Sequence, residues 1–323
     1  MTMDKGSTNI LCPRDQLRLF GYRNYFNSFN KLFKNRKLPN VILLSGLKGI
    51  GKATFAYHFI NYLLSFDEQD KYSIDEYTIS PNNKSYKNLC NHTHPNFFLL
   101  ECKNQQENIK IDNVRNVLKF LNKTTYNSGI KIVMIDDAEF LNISSSNALL
   151  KTLEEPSINT FFFVIHDSSK KITDTIKSRC IQFKFFLNIS EKKSILKDII
   201  KNYENFPSIE TIDDNFFIDT PGNVLRYLKI LSDNKTSFSS NKLSCISTLI
   251  NEYKKRKDSQ LLNFISFLIE LFYKELSSNN SKKLNTYFYN KSKIINKIAY
   301  MKKFSLDRTN LFISLQSILK NES

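Results

Sequence analysis

The sequence predicts an α/β fold with a parallel sheet, continued by helical domains toward the C-terminus, and three observations carry that expectation. Between Asn40 and Gln182, short apolar runs alternate with helical patterns; the first run opens onto a glycine-rich turn and then a helix; beyond Phe185 the strand-like runs stop. The runs at 41–45, 96–101, 130–135 and 161–165 are rich in branched and aromatic residues, as buried strands are, and the last is expected to be the final core strand. Their alternation with helices is the signature of βαβ units around a buried parallel sheet. After Phe185, amphipathic patterns at 190–203, 223–231, 261–276 and 294–301 predict helices alone. Asn-, Ser- and Lys-rich stretches at 82–91, 232–241 and 277–283 read as loops or linkers. The expected division is an α/β domain over 1–185, a small helical domain over 186–240 and a second helical domain over 241–323.

Composition narrows the function classes. At 323 residues and 41% hydrophobic content the chain can bury a core in two or three domains. No run of 18 or more apolar residues occurs, and the opening MTMDKGSTNILCPRD lacks the charged-then-apolar order of a signal peptide, so a cytoplasmic protein is expected. Five scattered cysteines without CxxC spacing exclude a disulfide framework. The formal charge of +16 favours phosphate-rich partners, although abundant Lys, Asn, Ile and Phe with scarce Ala and Gly also fit a codon bias toward A and T.

The first motif is Gly46-Leu-Lys-Gly-Ile-Gly51-Lys52, between the run 41–45 and a helix whose Ala56, Phe59, Ile60, Leu63 and Leu64 share one face. Such a loop suits phosphate. Gly46, Gly49 and Gly51 let backbone N–H groups point into a concave anion site, the helix N-terminus adds partial positive charge, and Lys52 reaches the outer phosphates. The hydroxyl that usually follows this lysine and binds Mg²⁺ is replaced by Ala53, with Thr54 about 100° further round the helix. Bound ATP or ADP is expected, with metal-assisted hydrolysis impaired. The alternative is a loop that only joins strand to helix.

The second motif ends the run Lys131-Ile-Val-Met-Ile with Asp136-Asp137-Ala-Glu139. Carboxylates at this strand end lie beside the phosphate loop in such folds, with Asp136 holding Mg²⁺ through water and Asp137 in the place of the water-polarising acid. Asp137 is one methylene shorter than a glutamate, and a displacement of about 1 Å in a catalytic group lowers rate about a hundredfold. A solvated turn is the plainer reading of the acidic cluster taken alone.

Farther on, Asn147-Ala-Leu-Leu-Lys-Thr-Leu-Glu-Glu-Pro156 predicts a helix capped by Ser144 or Ser145 and ended by Pro156. Then come Phe161-Phe-Phe-Val-Ile-His166 and Thr175-Ile-Lys-Ser178-Arg179-Cys180. These strings, with Phe20-Gly21 and Lys37-Leu-Pro-Asn40 upstream, resemble the clamp-loader subfamily of AAA+ proteins from about Leu19 to Phe185. The resemblance implies a P-loop AAA+ domain, then a helical lid and an all-α collar that joins partner subunits. Within the subfamily, Gly51-Lys52-Ala53 and Asp136-Asp137 resemble the delta-prime branch rather than the gamma or tau motor, which has GKT or GKS, Asp-Glu and four zinc-binding cysteines. Here Cys90, His92, His94 and Cys102 match no usual zinc spacing, so no zinc is expected.

The resemblance further implies a role for Arg179, as a finger reaching the γ-phosphate bound by a neighbouring motor subunit. It implies gamma or tau and delta subunits as partners, with the sliding clamp and primer-template DNA met within the complex. His166 and Asp167 fall where the family carries a polar sensor. Arg226, in Pro221-Gly222-Asn-Val-Leu-Arg226, resembles the second-domain sensor and is otherwise a solvated helix arginine. The run Lys254-Lys-Arg-Lys257 is read as solvated surface. Three other readings stay open: an autonomous AAA+ ATPase, the gamma or tau motor itself, and a nucleic-acid-binding module without ATP chemistry, which would rest on the charge although no recognised DNA-binding motif is present.

Overall fold

Five apolar runs pair side by side and build the sheet. The structure, a computed structural model, describes residues 10–102, 108–123, 129–203, 206–207, 212–234, 242–256, 259–279 and 281–304. β1 (Val41–Gly46), β2 (Phe97–Leu100), β3 (Lys131–Ile135), β4 (Thr160–Asp167) and β5 (Ile181–Lys184) form one sheet in the order β2-β3-β4-β1-β5, and every pairing is parallel. β1 and β3 are buried along their whole length, which is why they read as unbroken apolar runs and not as alternating ones.

Side chains alternate across the sheet and divide the core into two layers. Ile42 and Leu44 face α1 (Arg23–Lys34) and α2 (Lys52–Leu64), where Phe26, Phe29, Phe55 and Phe59 pack as an aromatic block. Phe29 meets Phe55 edge-on at 5.3 Å between ring centroids, a geometry that adds about 1 kcal/mol beyond burial. Val41 and Leu43 face the opposite layer with Val117 of α4 (Ile111–Leu121), Leu149 of α5 (Ile143–Glu154) and Ile176 of α6 (Asp174–Lys177). After β5, Asn188 and Glu191 close a capping box on α7 (Ile189–Ile200).

The chain divides into two compact units, Met1–Glu204 with Asp219–Asn223, and Asn205–Ile218 with Val224–Ser323. α8 (Pro221–Asp233) starts in the first and continues in the second. The second unit is helical among its described residues. Its α10 (Ser259–Asn279) packs against α9 (Lys242–Arg256) and α11 (Leu284–Phe304), burying Phe264, Leu268, Ile250 and Ile298, while Tyr227 stacks on Phe264 at 4.5 Å. None of the described helices is long and apolar enough to cross a membrane.

Several local expectations are corrected. The stretch 82–91 is not a loop throughout, because it holds α3 (Lys84–Cys90), whose N-cap Asn83 accepts a hydrogen bond from the Tyr86 N–H. A cap satisfies an orphan donor, and that offsets the polar composition. The run 161–165 is not the last core strand, since β5 adds an edge beside β1. Its exposure hid it, since of its four residues only Phe183 is even half-buried. The cap of α5 is Asn142, not Ser144 or Ser145, and Ser145 instead donates its hydroxyl to the Ile109 carbonyl at 2.6 Å. α8 reaches Asp233 and α10 reaches Asn279, so both enter stretches expected as linkers, and 235–241 lies outside the described residues.

Candidate functional site

The phosphate loop joins the C-terminal end of β1 to α2, and its shape follows from two glycines. Gly49 at φ +84° and Gly51 at φ +105° adopt left-handed conformations that side-chain-bearing residues rarely take. Lys52 begins α2 and is only 6% exposed; its Nζ donates to the carbonyls of Gly46 at 2.6 Å and Leu47 at 2.9 Å. Burial pulls its ammonium below the usual lysine range, opposed by Asp167, Asp136 and Glu139. The loop is also covered from outside. Thr220 donates its hydroxyl to the Lys48 carbonyl at 2.8 Å and the Gly222 N–H donates to the Gly49 carbonyl at 2.9 Å. A Cβ on Gly49 would stand 2.5 Å from Thr220 Oγ1, so residues 220–223 rest directly on the loop.

Beside it, β3 delivers Asp136 and Asp137. Asp137 sits at φ 55° and donates its backbone N–H to Asp136 Oδ1 at 2.9 Å. Its carboxylate is 3.4 Å from Lys48 Nζ, an ion pair between the phosphate loop and the acidic strand end. Burial, and then the Asp137 charge, push the Asp136 carboxyl up to about 7. At the end of β4, His166 places Nδ1 3.3 Å from Ser45 Oγ, and Asp167 donates its N–H to Glu139 Oε2 at 3.2 Å. Glu139, 1% exposed at its side chain, is 3.5 Å from Lys170.

The loop therefore has the backbone shape and the lysine that a phosphate group needs. Magnesium fits less well. Ala53 carries no oxygen, and Asp137 already has a cation. Among the described residues no group of three or more His, Cys, Asp or Glu side chains gathers to hold a metal.

Arg179 lies elsewhere. β1 and β5 run parallel with Ile42 beside Ile181 and Ser45 beside Lys184, so Arg179, two residues before Ile181, sits at the N-terminal end of the sheet. The phosphate loop leaves the other end. β5 carries the chain about 10 Å from Ile181 to Lys184, away from the turn that holds Arg179. Its Nε donates to Glu154 Oε1 at 2.6 Å, its Nη2 makes a further contact to the same oxygen, and Nη1 donates to the Thr175 carbonyl at 2.9 Å. The pair is at the surface, with 27% of the Arg179 side chain and 48% of the Glu154 side chain exposed.

The structure thus brings Gly46, Gly49, Gly51 and Lys52 together with Asp137 through Lys48, and keeps Arg179 apart. Thr54 follows Ala53 on the first turn of α2, and Arg226 is part-buried on α8 within the second unit. His94 contacts Ser85 Oγ at 3.2 Å, and Cys90 donates to the Arg14 carbonyl at 3.5 Å. Lys255 pairs with Glu252 at 2.8 Å, and Lys257 lies outside the described residues. Sequence reasoning missed Lys48, Thr220 and Glu154. Lys48 was visible as a second lysine in the loop, and Glu154 within the helix-ending Glu-Glu-Pro; for Thr220, 171 residues past Gly49, no local signal exists.

Residues 21–188 match the family model described as DNA polymerase III, delta subunit. The chain belongs to that family. The subunit delta′ of DNA polymerase III from Pseudomonas aeruginosa is 36% identical over 140 residues, covering 43% of this chain and 41% of its own length. The gamma subunit from Buchnera aphidicola of Schizaphis graminum is 30% identical over 196 residues, covering 60% of this chain and 51% of its own. Among solved structures, a gamma subunit-related protein of Thermotoga maritima aligns at a TM-score of 0.46 and 16% identity, over 91% of this chain and 99% of its own. The aligned stretches thus span about half or less of the curated relatives named here.

Proposed function

We propose that the chain works as a delta-prime-type subunit of a DNA polymerase III clamp loader, supplying Arg179 to a nucleotide held by a neighbouring motor subunit. The carrying observation is the placement of Arg179 at the opposite end of the sheet from the chain's own phosphate loop. An arginine there cannot serve its own loop without refolding, so a phosphate it meets belongs to another chain. A planar guanidinium suits that task because it stays charged and grips phosphate oxygens with two parallel donors.

The chain's own loop is secondary in this reading. Bound ATP or ADP would rest on the loop amides and Lys52 once Lys52 leaves its carbonyls, and Arg226 would act as a sensor. Hydrolysis is weak or absent, because Ala53 gives no metal ligand and Lys48 neutralises Asp137. Residues 186–240 serve as the lid and 241–323 as the collar that joins gamma or tau and delta. The assembled loader, a soluble cytoplasmic part of the polymerase holoenzyme, opens the sliding clamp and sets it on primer-template DNA.

Reconstitution tests this reading. The full chain mixed with motor and delta subunits should elute as one complex in gel filtration, and that complex should hydrolyse ATP in response to clamp and primed DNA. Failure to co-elute removes the proposal. The gamma-subunit relative favours a second reading, in which this chain is itself a motor. Steady-state ATP turnover near 1 per second by the isolated chain, within the ordinary range of enzymes, would establish that reading instead.

A further inference from the structure

On the face of the sheet that α6 covers, opposite α2, the ends of β1, β4 and β5 line a cavity of about 650 Å³. That volume falls within the range of small-molecule sites. Lys170, Lys171, Lys177 and Lys184 line it together with one carboxylate, Asp174. Lys170 is committed to Glu139 at 3.5 Å and lies 4.1 Å from the Phe140 ring centroid. Among the described residues, Lys171, Lys177 and Lys184 have no ion-pair partner. Three ammonium groups without an ion-pair partner, set against the single lining carboxylate of Asp174, leave the concavity net positive and draw in anions.

The neutral lining narrows the ligand. Ser45, Ser168 and Gln182 offer hydrogen bonds, and Phe186 lines the cavity while remaining 72% exposed. A large ring beside lysines provides a flat apolar surface next to phosphate-binding cations, the pairing that holds a stacked base and its phosphate. We propose that this cavity, which takes in Ser45, Gly46 and His166 at the start of the phosphate loop, binds a nucleotide on the face of the sheet away from α2, with its phosphates on Lys171, Lys177 and Lys184 and its base against Phe186. The nucleotide is either free or one unit of a single strand. The inference goes beyond the proposed function and needs no partner subunit.

The full-length isolated chain carries the test. Fluorescence anisotropy follows a labelled short oligothymidylate, and calorimetry follows ATP, for the wild type, Lys171→Ala/Lys177→Ala and Phe186→Ala, each checked for an unchanged unfolding midpoint. The lysine pair should weaken binding at least about tenfold and lower the salt slope, and Phe186→Ala should weaken it about tenfold. Phe186→Tyr should retain affinity and so separate stacking from loss of fold. Sensitivity with the oligonucleotide identifies a strand as the ligand, and sensitivity with ATP alone identifies a free nucleotide. Variants that bind both probes like the wild type, or a wild type that binds neither, overturn the proposal. Because no partner is present, this outcome is independent of whether the chain assembles into a clamp loader.

Discussion

The two ends of β1 carry the two kinds of phosphate chemistry expected of this chain, and they are built in opposite ways. At the C-terminal end, Lys52 donates into its own loop, Lys48 pairs with Asp137, and Gly222 occupies the Gly49 carbonyl. At the N-terminal end, Arg179 reaches the surface and is met by the exposed carboxylate of Glu154. Closing the first end is physically cheap, because each buried polar group keeps a partner that would otherwise be lost with water. Leaving the second end at the surface keeps a guanidinium ready for an external anion. The difference is the basis for proposing Arg179 as the contact to a neighbouring chain's phosphate.

The largest effect should come from Arg179→Ala. In a reconstituted complex, ATP hydrolysis stimulated by clamp and primed DNA should fall about 10³-fold or more, the scale of an arginine finger supplied in trans. Stability should change by no more than about 1 kcal/mol, since the partly exposed pair with Glu154 is all that is lost beyond one bond to the Thr175 carbonyl. Arg179→Lys should restore little, because an ammonium lacks the planar fork. Unchanged hydrolysis by a fully assembled variant complex breaks the comparison and leaves the N-terminal end of the sheet as scaffold.

The second effect concerns the helix behind the closed end. His58 is fully buried on α2 beside Tyr72, with Nδ1 3.1 Å from the hydroxyl, and burial pushes its pKa down from 6.5 to about 3. Burial also lowers His94, to about 4. Both are protonated in the unfolded chain at a pH where the folded chain keeps them neutral. Their contribution is therefore present above pH 6.5 and is lost as pH falls toward 3, by up to about 5 kcal/mol for His58. Urea titrations across this range should show that slope, and His58→Gln should flatten it. A wild-type profile that stays level would mean that α2 opens to water.

The third tests the cover on the loop. A Cβ on Gly222 would stand 2.8 Å from the Gly49 carbonyl oxygen, so Gly222→Ala should lower unfolding stability by about 1–3 kcal/mol. Loosening this contact should also strengthen ATP binding at the loop. Equal stability and equal affinity would show that residues 220–223 do not rest on the loop in solution.

How much of this was legible in the sequence depends on the distance over which each feature is determined. Four strands were visible because both faces of a parallel strand are buried, and runs such as Val41-Ile-Leu-Leu are apolar without interruption. β5 was not, because Ile181 and Lys184 face solvent at an edge, and α3 was hidden by asparagines and lysines whose helix depends on one cap. The glycines and Lys52 of the loop stood out because their spacing is local. The closure of that loop did not, since Thr220 and Gly222 meet it through the tertiary fold, and a sequence pattern carries no distance between segments so far apart. Arg179 was legible as a residue, but its position at the far end of the sheet required the β1–β5 register.

The smallest expected effect decides what Glu154 does. Its carboxylate accepts from Arg179 Nε at 2.6 Å, and both side chains are partly in water, so the pair stabilises the isolated chain by no more than about 1 kcal/mol. Glu154→Gln keeps the side-chain length and the helix propensity of α5 while removing the charge. If the carboxylate only parks the guanidinium, the unfolding midpoint should hardly move, and stimulated hydrolysis in the complex should stay at the wild-type level or rise a few-fold as Arg179 reaches the neighbouring phosphate more readily. If hydrolysis falls as it does for Arg179→Ala while assembly is intact, Glu154 aims the arginine in the working complex and belongs with it as a positioning residue. A salt titration separates the two further. A parked pair weakens as salt screens it, so the variant and the wild type should converge at high ionic strength, whereas an aiming contact shielded inside an interface should keep them apart.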